Sequence, residues 1–122
     1  MHKLVQLILR AMPTIFWVAM LVVTYLLLAN LAPPNIKVEY VDKLEHAFVF
    51  MGLTCMALIA WPQRKRLVFI GLTIFGGAME LAQQAFASYR QATWGDWAAD
   101  IAGILIALII YIIVMKQRSK LD

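Results

Sequence analysis

The sequence predicts an all-α membrane protein: a single domain of residues 1–122, folded as a four-transmembrane-helix bundle with both termini in the cytoplasm. Hydrophobic residues make up 63% of the chain and charged residues 15%, whereas soluble domains average roughly 45–50% and 25%. The mean hydropathy is +0.78. Four apolar stretches are each long enough for a membrane helix, which needs about 17–25 residues. Only short loops and tails remain outside them.

The breaks between the predicted helices coincide with prolines, glycine and charged residues. The helices cover about residues 12–32, 44–61, 67–87 and 97–115. Pro13 lies near the start of the first helix, where a proline is tolerated, and the segment LAPPN ends it. Pro62 ends the second helix, and a basic segment precedes the third. The segment GDW separates the third from the fourth, with Asp96 as a first-turn or capping acid.

The first predicted helix has some features of a secretory signal, because Lys3 and Arg10 precede an apolar stretch. That stretch is about 20 residues long, whereas the apolar region of a signal peptide has about 7–15. The segment LANLAPP is a weak cleavage site. The sequence therefore favours a retained transmembrane helix.

Basic residues alternate between the two sides of the predicted bundle. The two tails and the loop at 62–66 hold eight of the eleven Lys and Arg residues, and the other two loops hold three. Because basic loops stay in the cytoplasm, the tails and the loop at 62–66 are predicted to lie inside. The bases flank the helices and form no stripe, so the net charge of +4 does not indicate a nucleic-acid partner.

The acidic residues concentrate at the opposite, extracytoplasmic end, which the positive-inside rule does not explain. Glu80 lies about 20 Å from the cytoplasmic start of its helix, in the outer half of a core of roughly 30 Å. A carboxylate at that depth is expected to face the interior of the bundle. Gln83 follows on the same side of the helix. Asp42 and His46 are four residues apart and are predicted to share a helix face.

Three helix ends therefore bring ionisable groups to one side of the bundle. Asp96 and Asp100 share a face at the start of the fourth helix, and Arg90 lies in the loop before it. An Asp–His pair can orient and charge an imidazole, and an arginine can hold a carboxylate or phosphate in a bidentate manner. These groups form either a pocket for a polar head group or a network that only locks the helix ends together. A proton or cation pathway is disfavoured, because the inner half of the bundle has few polar residues.

Other kinds of site receive less support. His2 is in the cytoplasmic tail, so one relevant histidine remains, and the sequence predicts no structural zinc site and no other metal or cofactor. Covalent catalysis lacks a nucleophile, because Ser88 lies in a loop and Cys55 is expected to be buried in its helix. Whether the protein catalyses any reaction is left open.

Small residues predict where the helices pack most closely. The fourth helix has Ala99, Gly103 and Ala107 at helical spacing, and the third has Gly76 and Gly77. Such spacing lets helix backbones approach each other in lipid. The third and fourth helices are therefore predicted to pack tightly, with their polar residues pointing inward.

These motifs resemble the VanZ-like family, small membrane proteins named after a teicoplanin-resistance protein. The family pattern is Asp-Lys-x-x-His, then Glu-x-x-Gln, then Arg, then Asp-x-x-x-Asn-x-x-Gly. The matching segments are DKLEH (Asp42, Lys43, His46), ELAQ (Glu80, Gln83), Arg90 and DWAADIAG (Asp96, Asp100, Gly103). The resemblance covers about residues 42–103 and implies a role in the cell envelope, with glycopeptide resistance as the namesake activity. It implies no mechanism.

One position departs from the family pattern, since Asp100 stands where the family usually has Asn. Asp100 can imitate Asn as a donor if it is protonated. Otherwise it is ionised and pairs with Arg90 or Lys43. The family's ligand preference is therefore not carried over to this chain.

The sequence thus predicts a protein of the cell membrane that binds or modifies an anionic lipid-linked or cell-wall precursor group at the outer leaflet. Lys43 and Arg90 would hold the anion. The predicted ligand-binding residues are Lys43, Gln83, Arg90, Asp96 and Asp100. The predicted proton-handling or catalytic residues are His46, Asp42 and Glu80. The alternative is a structural or assembly partner within a membrane complex, and another membrane protein or a second copy of the chain is left open as a partner.

Overall fold

The computed structural model confirms the all-α architecture. Its four helices are α1 (His2–Leu28), α2 (Glu39–Ala60), α3 (Lys65–Phe86) and α4 (Trp94–Leu121). The structure describes residues 1–28, 39–86 and 94–121, of which 39–42 and 86 are described by their backbone alone. The following statements concern these residues.

All four helices are long and apolar enough to cross a membrane, and at most 33% of each membrane-spanning stretch is buried within the protein. Large apolar side chains such as Leu21, Ile74 and Ile109 are exposed on the helix surfaces. In a soluble protein such a surface would be an aggregation risk, whereas in a bilayer it faces hydrocarbon at no cost. The chain therefore has the architecture of a multi-pass membrane protein.

Three of the helices extend further than the sequence predicts. α1 begins at His2 instead of near residue 12, so Pro13 lies inside the helix and not at its start. The residues before Pro13 are themselves mostly apolar, so the tail continues the helix. α4 continues to Leu121 instead of ending near residue 115, with Arg118 and Lys120 in its last turn, where positive charge is favourable. α2 begins five residues before its predicted start, and the other bounds of α2 and α3 differ from the prediction by one or two residues.

α2 is the central helix and packs against the other three. Its buried face carries Phe50, Leu53, Thr54 and Leu58, each no more than 2% exposed. α1 packs against α2 and α3, whereas α4 packs against α2 and α3 from another side. A side chain on the inner face of α2 is therefore surrounded by other helices, and His46 is on that face.

α4 packs closely against α3, as predicted, and also against α2, which the sequence did not predict. A Cβ atom added to Gly103 would lie 2.1 Å from the carbonyl oxygen of Ala47 on α2. The prediction was correct for α3, since a Cβ on Gly76 or Gly77 would meet Asp100 or Trp97 of α4. The spacing of small residues identified α3 as a close neighbour of α4, but it did not identify α2 as another.

The end of the bundle at the α2–α3 turn is apolar and aromatic. Phe16 packs edge-to-face on Trp61, with ring centroids 5.4 Å apart, beside a groove of about 380 Å³ that Arg64 also lines. Cys55 is exposed on α2, so the expectation that it is buried was wrong. The ionisable residues described next lie at the other end.

Candidate functional site

Three ionisable side chains lie at the same depth on three different helices. His46 is seven residues after the start of α2, Asp100 six after the start of α4, and Glu80 six before the end of α3. At ~1.5 Å per residue, each lies about 9–11 Å from the same end of the bundle. α3 runs opposite to α2 and α4, so counting from its end places Glu80 level with the other two.

These three residues, His46, Glu80 and Asp100, form what we call the polar centre. They are 4%, 6% and 1% exposed. The imidazole Nδ1 of His46 lies 2.8 Å from Oδ1 of Asp100 and 4.0 Å from Oε1 of Glu80. One potential ligand atom from each residue lies within 4.8 Å of the other two. Glu80 faces the bundle interior, as its depth in the sequence predicts.

Two glycines allow the polar centre to assemble. Gly103 brings the α4 backbone against Ala47, the residue after His46, so the imidazole can reach Asp100 one turn away on α4. Gly76 makes room for the Asp100 carboxylate, because a Cβ there would lie 3.0 Å from Oδ2. The geometry of the centre therefore depends on small residues in α3 and α4.

A second polar pair lies one helical turn nearer the end of the bundle. Lys43 precedes His46 by three residues and Asp96 precedes Asp100 by four, so each pair shares a helix face. Lys43 Nζ lies 4.0 Å from Asp96 Oδ1, and their side chains are 33% and 10% exposed. Asp96 is the acid in the first turn of α4, as predicted. The structure thus places a partly exposed cation at the rim of a buried acidic centre.

Gln83 joins α3 to the last turn of α1. It is 2% exposed, and its side-chain Nε2 donates to the carbonyl oxygen of Leu27 at 2.8 Å. Leu27 is one residue from the end of α1, where carbonyl groups have no partner within their own helix. Gln84, which the sequence places on the same side, is exposed. Gln83 therefore acts as a cap for α1, a contact that the sequence reasoning missed.

Trp97 also makes a contact that was not predicted. Its indole Nε1 donates to the carbonyl oxygen of Thr73 on α3 at 3.1 Å, and its ring lies over Gly77. Trp94, three residues earlier on α4, is by contrast 81% exposed. The two tryptophans differ because Trp97 lies on the side of α4 that packs against Gly77 of α3.

Two of the predicted site residues lie outside the described part of the site. Asp42 belongs to α2 by its backbone, but its side chain is outside the description, as is all of Arg90. The predicted Asp42–His46 pair therefore stays a prediction. Among the described side chains, it is Asp100 that lies at hydrogen-bond distance from the imidazole. Spacing within one helix suggested Asp42, whereas the contact across helices depends on how α4 packs on α2.

The polar centre can hold either protons or a cation. When His46 carries its proton on Nδ1, it donates to the Asp100 carboxylate. When Nδ1 carries no proton, this nitrogen can act as a base or a ligand atom beside both carboxylates. Two carboxylates inside a membrane helix bundle are costly to keep unless they are paired. Positive charge near the centre would lower this cost. The arrangement therefore suits acid–base or ion-binding chemistry.

Comparisons with other proteins give one similar sequence. The chain is 30% identical over 110 residues to an uncharacterized protein of Schizosaccharomyces pombe (strain 972), and the match covers 87% of this chain and 65% of the yeast protein. The chain thus spans a little less than two thirds of that relative's length. No family model matches the chain, and no solved structure matches it. The VanZ-like resemblance accordingly stays a prediction.

Proposed function

We propose that this multi-pass protein lies in the cell membrane, with both termini in the cytoplasm, and uses its polar centre to bind or modify an anionic group. The group would be the head of a lipid-linked or cell-wall precursor at the outer leaflet. The VanZ-like resemblance supports this role in the envelope. The charge distribution of the sequence supports the orientation, because the basic tails and the loop at 62–66 would lie inside.

The observation that carries the proposal is the convergence of His46, Glu80 and Asp100 from three helices. Their potential ligand atoms lie within 4.8 Å of one another in a site at least 94% buried. Ionisable residues inside membrane helices are expensive, and they commonly mark sites of binding or transport. Apolar residues would pack these helices at a lower cost, which favours a functional reason for keeping the charges.

The anionic nature of the ligand is supported by the rim and not by the centre. Lys43 is the described cation nearest the acids, and it is still 33% exposed, so it can turn toward an incoming group. Arg90 precedes α4 in the sequence and would add a bidentate donor for phosphate. A phosphate would approach Lys43 first, with its lipid chain in the surrounding membrane.

A second candidate is a structural role, in which the polar groups hold the helices together within a membrane complex. It is favoured by the contacts that already join helices: Gln83 to Leu27, Trp97 to Thr73 and His46 to Asp100. Hydrogen bonds between membrane helices are worth about 0.6 kcal/mol on average. Such bonds account for Gln83 and Trp97 without a ligand, but they do not require two carboxylates beside one histidine.

The proposal is tested by titrating the purified protein in lipid nanodiscs with a polyprenyl phosphate and with the matching polyprenol. The two lipids differ only in the phosphate. We expect the wild-type protein to bind the phosphate at least about tenfold more tightly, and Lys43→Gln to reduce this preference severalfold while the protein stays folded. A surface pair such as Lys43–Asp96 contributes about 0–1 kcal/mol to stability, so the substitution is expected to be tolerated.

Lys65→Gln serves as the matched control. Lys65 lies at the other end of the bundle, over the Tyr111 ring, so its substitution is expected to leave the preference unchanged. Equal affinity of the wild-type protein for the phosphate and the alcohol would refute an anion site. If Lys65→Gln reduced the preference for the phosphate as much as Lys43→Gln does, the preference would depend only on the overall charge of the protein.

A further inference from the structure

We propose that His46, Glu80 and Asp100 bind a divalent first-row transition-metal ion. Metal binding itself goes beyond the proposed function. Its second part, that the ion in turn holds the phosphate of the ligand, deepens that function and rests on it. The three residues come from α2, α3 and α4, and each is at least 94% buried.

The donor set selects the kind of ion. One imidazole nitrogen and two carboxylate oxygens are typical of Zn²⁺, Mn²⁺, Fe²⁺ and Co²⁺ sites. Mg²⁺ and Ca²⁺ prefer oxygen ligands alone. The sequence predicts no metal, because one histidine is too few for a structural zinc site. Three protein ligands, however, are the usual number in catalytic zinc sites, which leave a position open for water or substrate.

The distances need only small adjustments to fit an ion. Ligand atoms that each bind at about 2.1 Å lie about 3–3.5 Å from one another in octahedral or tetrahedral geometry. In the polar centre, Nδ1 of His46 lies 2.8 Å from Asp100 Oδ1 and 4.0 Å from Glu80 Oε1, and every pair lies within 4.8 Å. To reach this range, the Nδ1–Glu80 distance would shorten by about 0.5 Å, and any pair near the 4.8 Å limit would shorten by about 1.3 Å.

The charges of the centre suit a divalent ion. A neutral His46 with ionised Glu80 and Asp100 carries a charge of −2, which one divalent cation neutralises. The gain is larger inside the bundle than in water, because electrostatic interactions strengthen as the dielectric constant falls. Lys43 lies one turn away, beside Asp96, at the rim.

The ion would also explain how an acidic centre receives an anionic ligand. Two carboxylates alone repel a phosphate, whereas a metal ion with an open position attracts a phosphate oxygen. The ion would lie in the centre and Lys43 at the rim, so both would contact the same phosphate group. If Lys43 and Arg90 alone hold the anion, the proposed function does not need the ion. Metal binding and anion binding are therefore tested separately.

The metal site is tested by adding Co²⁺ alone to the chelator-treated wild-type protein and recording visible ligand-field absorption. We expect one Co²⁺ per chain, displaced by Zn²⁺ and not by Mg²⁺. Glu80→Gln and His46→Gln are expected to weaken Co²⁺ binding more than about tenfold. The matched controls Glu45→Gln and His2→Gln remove a carboxylate and an imidazole at exposed positions. Both variants are expected to bind Co²⁺ as tightly as the wild-type protein.

Each outcome decides the proposal. Absence of Co²⁺ absorption in the folded wild-type protein would overturn it, and this measurement does not depend on whether any variant folds. The proposal would also be overturned if His2→Gln abolished Co²⁺ binding and His46→Gln preserved it, because the site would then lie at His2. One Co²⁺ per chain, lost in Glu80→Gln and kept in Glu45→Gln, would support it.

A third titration separates the metal proposal from the proposed function. The polyprenyl phosphate is added with Zn²⁺ and, separately, with a chelator. Tighter phosphate binding with Zn²⁺ supports both ideas. Metal binding without any phosphate preference leaves the metal site standing and refutes the anion function. Phosphate preference that the chelator does not change supports the anion function and overturns the link between the ion and the phosphate.

Discussion

At the scale of single residues, the depth of a polar residue in the membrane predicts which way its side chain faces. It does not predict which group that side chain contacts. Glu80 is too deep to reach water, so the sequence alone indicates that it faces the interior, and it is 6% exposed. The partner of Gln83 could not be predicted in the same way. Its acceptor, the carbonyl oxygen of Leu27, is 56 positions away in the sequence. That contact depends on where α1 ends beside α3, which no local pattern encodes.

The hydrogen bond from Gln83 leads to a prediction about stability. Gln83→Glu replaces the donating amide with a carboxylate, which leaves the Leu27 carbonyl without its donor and adds a negative charge to a site that is 2% exposed. We expect the free energy of unfolding to fall by about 1–3 kcal/mol, measured by denaturation with sodium dodecyl sulfate in mixed micelles. The neighbouring Gln84→Glu, on the exposed side of α3, is the control, and an equal loss there would contradict the assigned role.

At the scale of helices, the sequence predicts the number of elements well and their contacts less well. Hydropathy and prolines indicated four helices, because each helix must span a bilayer of fixed thickness. The tails were not predicted to be helical, because each carries basic residues and was placed outside the membrane span. The residues before Pro13 are nevertheless mostly apolar and continue α1. Small residues predicted a close approach of α4 to α3, but they did not predict its close approach to α2. Gly103 meets α2, and this contact places His46 beside Asp100.

Gly103 provides the prediction for this scale. Gly103→Ala would place a methyl group 2.1 Å from the Ala47 carbonyl oxygen, so α2 and α4 must separate. We expect the free energy of unfolding to fall by about 1–3 kcal/mol or more, measured as above, and Co²⁺ binding to weaken because His46 moves away from Asp100.

The control for this prediction is Gly52→Ala on α2, where an added Cβ meets no atom within 4 Å. Alanine is the better helix former by about 0.8–1.0 kcal/mol, so this variant is expected to be as stable as the wild type or more stable. If Gly103→Ala is equally well tolerated, α2 and α4 do not pack as closely as described.

At the scale of the whole molecule, the described helices place the polar centre at one end and the basic turn at the other. The turn between α2 and α3 carries Arg64 beside the apolar groove, and α4 carries its basic last turn at the same end. The sequence predicted this division from charge alone. It could not predict that His46, Glu80 and Asp100 meet at one depth, because that depends on the relative heights of three helices.

The orientation in the membrane is tested with cysteine labels. Cys55 is the single cysteine of the chain, so Cys55→Ser provides a background without thiols. In that background, Gln63→Cys in the α2–α3 turn and Ser119→Cys near the end of α4 are expected to react with an impermeant maleimide only in inverted vesicles. Labelling of both positions in intact cells would show that the polar centre faces the cytoplasm, because both positions lie at the end away from it.

The central claim is that the polar centre is kept for a ligand and not for the stability of the helix bundle. Proteins commonly lose stability by keeping charged groups at functional sites. Removing one partner of a buried ion pair that serves stability costs about 3–5 kcal/mol, because it leaves the other charge uncompensated. In a ligand site, by contrast, two neighbouring carboxylates repel each other when the ligand is absent. Removing the charge of one of them then relieves this repulsion.

The most direct test is the free energy of unfolding of Glu80→Gln, measured in mixed micelles in the presence of a chelator and without added lipid phosphate. The substitution keeps the shape of the side chain and removes its charge, and Glu45→Gln on the exposed surface of α2 is the control. A ligand site predicts that Glu80→Gln is at least as stable as the wild type. A fall of about 3–5 kcal/mol, absent from Glu45→Gln, would contradict the account and identify the polar centre as internal support for the bundle.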